Sequence, residues 1–168
     1  NETGFYYKPR VDLPLILSLP ENDIWVTTAC IGGIWKYPDN ESLLMILKDH
    51  FKNNLFLEVQ NHNVETQKIL NKKILELSNY LNIPIIAGMD THMIYPEQSG
   101  ERDLYLQSRG IVYPDENNWN MDFPSYDEAF ARFKIQGILS NKDIENSLNQ
   151  IHLFNDVENY DSIIFNDN

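Results

Sequence analysis

Ile83-Pro84-Ile85-Ile86-Ala87-Gly88-Met89-Asp90-Thr91-His92 reads as a short strand, apolar nearly throughout, that ends on a carboxylate and an imidazole. Continuous apolar character over so few residues is the signature of a parallel strand covered on both faces. Two upstream runs share it, Ile24-Trp25-Val26-Thr27-Thr28 and Leu55-Phe56-Leu57-Glu58-Val59. Each is followed at once by reactive groups: Cys30 after the first, Gln60 and His62 after the second, Asp90 and His92 after the third. Helix-period segments separate the runs, and each is long enough for a right-handed crossover between parallel strands. The pattern predicts an α/β fold in which successive strand ends bring their side chains to one face.

The helices follow from spacing and caps. Asp12 is a candidate N-cap with Pro14 in the first turn of a short segment that Pro20 ends. Ser42 is expected to open a helix that sets Leu43, Leu44, Leu47 and Phe51 on one face, and Asn53-Asn54 to stop it. Leu70, Ile74, Leu77 and Leu81, spaced by four, three and four, carry the strongest helical signal in the chain. Pro96 and Glu97 start a helix to about Arg109, residues 111–124 read as a loop, and two helices near 125–136 and 140–155 follow, the last capped by Ser140 or Asn141.

Length and composition bound the function. A chain of 168 residues that is 42% hydrophobic suits one domain with a substantial core. A net charge of −12 with 13 Lys and Arg residues excludes a freestanding nucleic-acid binder, which needs clustered cations against phosphate. One cysteine cannot form an internal disulfide, which points to a reducing, cytoplasmic setting. The longest apolar stretch, Leu13 to Leu19, falls far short of the roughly 20 residues of a bilayer span, and nothing reads as a signal peptide, so no membrane partner is expected. The abundant asparagine reads as the compositional bias of an AT-rich genome.

The reactive residues carry two readings each. A thiol, imidazoles and a carboxylate at equivalent strand ends form a borderline-soft donor set suited to zinc or another late first-row divalent ion. Against that, Asp90-Thr91-His92 is also an ordinary loop, Cys30 beside Gly32-Gly33 is also a small buried hydrophobe, and His62 is also a hydrogen-bonded structural residue. His50 and His152 lie among polar neighbours and are expected to face solvent. Phe5, Tyr6 and Tyr7 with Lys8 and Arg10 fit core packing better than base stacking in so acidic a chain. No phosphate-binding P-loop, nucleophile elbow or paired-cysteine zinc motif is present, so P-loop nucleotide hydrolysis is excluded.

Four segments in order resemble one family. Gly4-Phe5-Tyr6-Tyr7-Lys8-Pro9-Arg10-Val11-Asp12, Thr28-Ala29-Cys30-Ile31-Gly32-Gly33, Leu55-Phe56-Leu57-Glu58-Val59-Gln60-Asn61-His62 and Ile83 to His92 together look like the PHP (polymerase and histidinol phosphatase) domain of the bacterial or phage DNA polymerase III alpha subunit, over about residues 4–155. The resemblance implies part of a distorted seven-stranded β/α barrel with mainly parallel strands, followed by C-terminal helices, with a tail at 156–168. It implies a cluster of zinc or manganese ions in the intact site, with Cys30, Asp90 and His92 as metal ligands and His62 as a catalytic group lining the same cleft.

The departures from the family pattern shape the expectation. Its opening His-x-His and the following Asp, His and Glu ligands have no counterpart, so the chain is expected to be the second half of a barrel from which the upstream half is absent. Met89-Asp90-Thr91-His92 stands where the family has Asn-Asp-Val-His, with both ligands kept. No polymerase palm is covered, so the chain is not expected to extend DNA. The function expected is that of a fragment of a replication protein with phosphoesterase or 3′-5′ exonuclease ancestry, inactive alone, meeting DNA through the rest of the polymerase and its replication partners. The alternatives are a non-catalytic interaction module of a replication protein and a standalone phosphoesterase. Half a barrel exposes strand edges, which predicts self-association.

Overall fold

A computed structural model of the chain describes residues 5–113 and 119–156. Asn1 to Gly4, the middle of the expected 111–124 loop and the tail from 157 onward lie outside the described residues. A two-stranded antiparallel hairpin, β1 (Phe5–Tyr6) and β2 (Lys8–Pro9), turns at Tyr7, whose φ of 59° is left-handed. Tyr7 is 84% exposed, which corrects its expected place in the core; the side chains of Phe5 and Tyr6 are outside the description. Helix α1 (Leu13–Leu17) begins as the caps predict, with Asp12 Oδ1 accepting from the Leu15 N–H at 3.0 Å. It ends at Leu17, three residues before Pro20.

The central element is a parallel sheet of order β3-β4-β5, formed by β3 (Val26–Thr27), β4 (Leu55–Gln60) and β5 (Ile85–Gly88). The expected α/β class and strand direction hold. The first strand is shorter than its apolar run, because Val26 and Thr27 alone pair with Leu55 and Phe56. Among the described residues the sheet is open, with β3 and β5 at its edges, and is not a closed barrel.

Strand alternation decides what each face of β4 does. Leu55, Leu57 and Val59 enter the main core, which collects Leu44 and Phe51 of α2 (Asn40–Phe51), Leu70, Ile74, Leu77 and Leu81 of α3 (Glu65–Leu81), Phe133 of α5 (Tyr126–Gln136) and Ile144 and Leu148 of α6 (Asn141–Asn149). The predicted four-three-four stripe of α3 is therefore its buried face. Phe56 and Gln60, on the opposite face of β4, are buried too. On that face the Glu58 carboxylate accepts from Thr27 Oγ1 and Gln60 Nε2, both at 2.9 Å.

Helix boundaries differ from expectation where local chemistry overrides the cap signal. Helix α2 starts at Asn40, whose side chain bonds the Tyr37 carbonyl at 2.6 Å, and Ser42 sits exposed inside the first turn. Helices α5 and α6 open with complete capping boxes, Ser125 with Glu128 and Ser140 with Asp143. The last predicted helix is α-helical to Asn149 and tightens to 3-10 geometry over Gln150–Asp156, where Phe154 packs edge-on against Trp25. Between β5 and α5, a 3-10 turn at Pro96–Gln98 leads into α4 (Ser99–Ser108), which buries none of its residues. No helix among the described residues is long and apolar enough to cross a membrane.

Candidate functional site

The site begins where β4 and β5 end side by side. Gln60 pairs with Gly88 as the last register of the parallel ladder, so the two strands release their chains at the same level. Gln60 at the end of β4, and Asn61 and His62 past it, remain buried, His62 fully. Past β5, Asp90 adopts a left-handed backbone with φ 49°, a conformation that Asp tolerates better than most residues. The turn at Asp90 brings its carboxylate to both imidazoles.

Asp90 Oδ2 stands 3.3 Å from His62 Nε2, and Asp90 Oδ1 stands 3.4 Å from His92 Nε2. One carboxylate thus bridges two imidazoles with one oxygen each. Their surroundings differ: the His62 side chain is sealed from solvent and that of His92 is 49% exposed. Contact with His62, by polar interaction and charge, holds the Asp90 carboxyl below its ordinary value; partial burial opposes this and His92 adds to it. Neither ring nitrogen of His62 has a formed hydrogen bond, since the 3.3 Å approach is one of ion-pair distance without hydrogen-bond alignment. Its ring lies 4.6 Å from that of Trp119, tilted by 45°.

Each strand exit is anchored from outside the sheet. The His92 and Met93 N–H groups donate to the Met121 carbonyl at 2.8 and 3.2 Å, which ties the Asp90–His92 loop to the segment before α5. Arg132 of α5 grips that segment through two bonds to the Asp122 carboxylate, at 2.9 and 2.7 Å, and this guanidinium holds the Asp122 carboxyl below its ordinary value. The main chain of residues 60–62 is held by side-chain amides: Asn71 Nδ2 and Gln136 Nε2 donate to the Gln60 carbonyl, Asn120 Nδ2 to that of Asn61, and Gln136 Nε2 to that of His62.

Of the residues singled out in the sequence, His62, Asp90 and His92 meet. Cys30 follows β3, with β4 between it and the strand that carries Asp90. Its thiol is free and half-buried on a turn in which the Gly33 N–H donates to the Cys30 carbonyl at 2.8 Å. Gly33 is required there, because a Cβ would come within 2.7 Å of the Thr28 carbonyl. His152 is exposed as expected. His50 is not: it is half-buried, with Nε2 2.9 Å from the Leu19 carbonyl, because the chain after α1 returns over α2.

Metal chemistry can be judged on these donors. Among the described residues no group of three or more His, Cys, Asp and Glu side chains is arranged to hold a metal ion. Asp90 with His92 offers two donors, one fewer than a catalytic zinc site takes from protein. The described residues alone therefore do not complete a metal site.

Several residues of the site carry no motif. Asn71, Asn120, Trp119, Asp122, Arg132 and Gln136 act across long sequence separations. The one local signal is polarity on an otherwise apolar helix face, as for Asn71 within the Leu70–Ile74 stripe.

No family model matches the chain. It is 31% identical over 127 residues to the DNA polymerase III subunit alpha of Borreliella burgdorferi, a match that covers 71% of this chain and 11% of that protein. It is 34% identical over 101 residues to the same subunit from Aquifex aeolicus, covering 56% and 9%, and 30% identical over 111 residues to that from Treponema pallidum, covering 61% and 9%. The chain thus spans about a tenth of the length of the curated relatives it matches. It is related in sequence to a region of DNA polymerase III alpha subunits.

Proposed function

We propose that the chain is the PHP region of a polymerase III alpha-like replication protein and that Asp90, His62 and His92 form its phosphoester-directed site. The observation that carries this reading is the single carboxylate set between one sealed and one solvent-reached imidazole at adjoining strand ends. Relatives named DNA polymerase III subunit alpha support the replication context, and DNA is the partner proposed through the larger protein.

The chain's own residues handle protons. Asp90, kept ionised at neutral pH, selects the His92 tautomer with a proton on Nε2 and leaves Nδ1 as an acceptor. Without an ion on it, a half-exposed acceptor of this kind can take a proton from water as the water attacks phosphorus; with an ion bound, the same Nδ1 would be a metal donor instead. His62, on the dry side, stands 3.3 Å from the other carboxylate oxygen and bounds Asp90 there. Zinc or manganese, where bound, would supply charge neutralisation on phosphate oxygens. Asp90 and His92 are the proposed donors, with Cys30 the third that the resemblance implies, and the rest of the donor set belongs to other parts of the larger protein.

Metal content by plasma mass spectrometry tests the donors. The purified chain is loaded with zinc or manganese and desalted, beside Cys30→Ser, Asp90→Ala and His92→Ala. The expected result is retained metal in the parent and a loss in the three variants; equal retention in all four would overturn the assignment. Hydrolysis of a 3′-labelled single-stranded DNA, with and without either ion, tests the chemistry.

A second reading, a non-catalytic module that packs within the replication assembly, is favoured by the incomplete donor set. It predicts no hydrolysis with any ion and no change in partner binding on Asp90→Ala.

A further inference from the structure

The His62 ring is enclosed by packing but makes no formed hydrogen bond of its own. The imidazole is fully buried, its two nitrogens lack formed hydrogen bonds, and near it stand one Asp90 carboxylate oxygen at 3.3 Å and the tilted ring of Trp119 at 4.6 Å. Beyond that packing, the hydrogen bonds that place it are made by its main chain. Residues 61 and 62 lie beyond the last paired register of β4, where no strand supplies hydrogen bonds. Buried carbonyls without partners are rare, so something must satisfy them.

Three consecutive carbonyls, those of Gln60, Asn61 and His62, are each taken by a side-chain amide from outside β4. Gln136 Nε2 spends its two N–H groups on the carbonyls of His62 and Gln60, at 2.6 and 2.9 Å. Its Oε1 accepts from Asn71 Nδ2 at 2.8 Å, and Asn71 Nδ2 gives its other proton to the Gln60 carbonyl at 2.8 Å. Asn71 Oδ1 in turn accepts from Gln67 Nε2 and the Gln60 N–H. Asn120 holds the middle carbonyl at 3.1 Å. The two amides at the centre, from α3 and α5, use every donor they have and are buried; each has one geometry that satisfies it.

We infer that Gln136, braced by Asn71, is a positioning residue for His62, fixing through the main chain where the imidazole stands against Asp90 and Trp119. The inference rests on the proposed role of the Asp90 site. It assigns α5 a task beyond packing: this one helix anchors both strand exits, through Gln136 to the His62 segment and through Arg132 and Asp122 to the Asp90–His92 loop.

The test uses the full chain with 15N-labelled histidine and tryptophan. The variant Gln136→Met keeps the approximate shape and removes both donors together with the acceptor that Asn71 uses; Asn120→Ala is a milder variant that releases the neighbouring carbonyl. Ile144→Val, in the core of α6, serves as the comparison for simple loss of stability. His62 signals are assigned with His62→Gln. Positioning predicts that Gln136→Met shifts the His62 ring signals and abolishes the nuclear Overhauser contact between the His62 and Trp119 rings, that Asn120→Ala shifts the same signals less, and that Ile144→Val leaves them unmoved. His62 signals in Gln136→Met and Asn120→Ala that match the parent, with unfolding midpoints lowered as in Ile144→Val, would overturn the inference. Metal retention and DNA hydrolysis by the parent chain report separately on the Asp90 site, so the failure of that reading is distinguishable from an unmoved His62.

Discussion

The Glu58 carboxylate occupies the space in which a side chain on Gly88 would stand. A Cβ placed on Gly88 would fall 2.8 Å from Glu58 Cγ and closer still to its carboxylate. The glycine therefore lets β4 and β5 pair while Glu58 bonds Thr27 and Gln60 on the same face. Overpacking of this kind costs about 1–3 kcal/mol. Gly88→Ala is expected to lose about that much in urea denaturation, and to lose less when introduced into Glu58→Ala; an identical cost in both backgrounds would show that the two residues do not couple.

Acid should weaken the fold through Asp90 and Asp122. Both carboxyls titrate lower in the folded chain than in the unfolded one, Asp90 through His62 and Asp122 through Arg132. The stability they contribute is present above the unfolded carboxylate range near pH 4 and is lost as pH falls through their folded values. Thermal midpoints measured from pH 6 down to pH 2 should fall, and Asp122→Asn should lower the midpoint at pH 6 and flatten the acid limb. A limb of unchanged slope in Asp122→Asn would remove this carboxylate from the account.

Gln136 should matter more to stability than a glutamine near the end of a helix normally does. Gln136→Met leaves the buried His62 carbonyl without a donor, while that of Gln60 keeps Asn71. The Asn71 N–H that met Gln136 Oε1 is left without an acceptor as well, so the expected loss is about 2–6 kcal/mol, at about 1–3 kcal/mol for each of the two unsatisfied buried groups. Gln107, on α4, which buries no residue, serves as the control, and Gln107→Met should change stability by less than about 0.5 kcal/mol.

Helix α6 depends on its first turn. Ser140 Oγ accepts from the Asp143 N–H at 3.2 Å and donates to its carboxylate at 2.6 Å. Ser140→Ala should cost about 1 kcal/mol and Ser140→Asp much less, since either oxygen can cap the helix. Amide hydrogen exchange should show the change within residues 141–149; a loss spread evenly over the chain would mean that the cap is not a local device.

The elements were legible in the sequence because each follows from short-range chemistry. Apolar β-branched runs marked the strands around Leu55–Val59 and Ile85–Ala87, and the spacing of Leu70, Ile74, Leu77 and Leu81 marked the buried face of α3. Asp12 and Ser140 marked caps, and Asp90, His92 and His62 stood out as groups placed past strand ends. The tertiary structure decided what those groups became. The pairing of Gln60 with Gly88 brought His62 and Asp90 to the same level, and the left-handed turn at Asp90 set one oxygen against each imidazole. The rank of β3 at the sheet edge kept Cys30 with β4 between it and the strand of Asp90. Gln136, Asn71 and Asn120 carry no local pattern, since a buried amide is chosen by the carbonyls it must satisfy, and those lie 11 to 76 residues away in the chain.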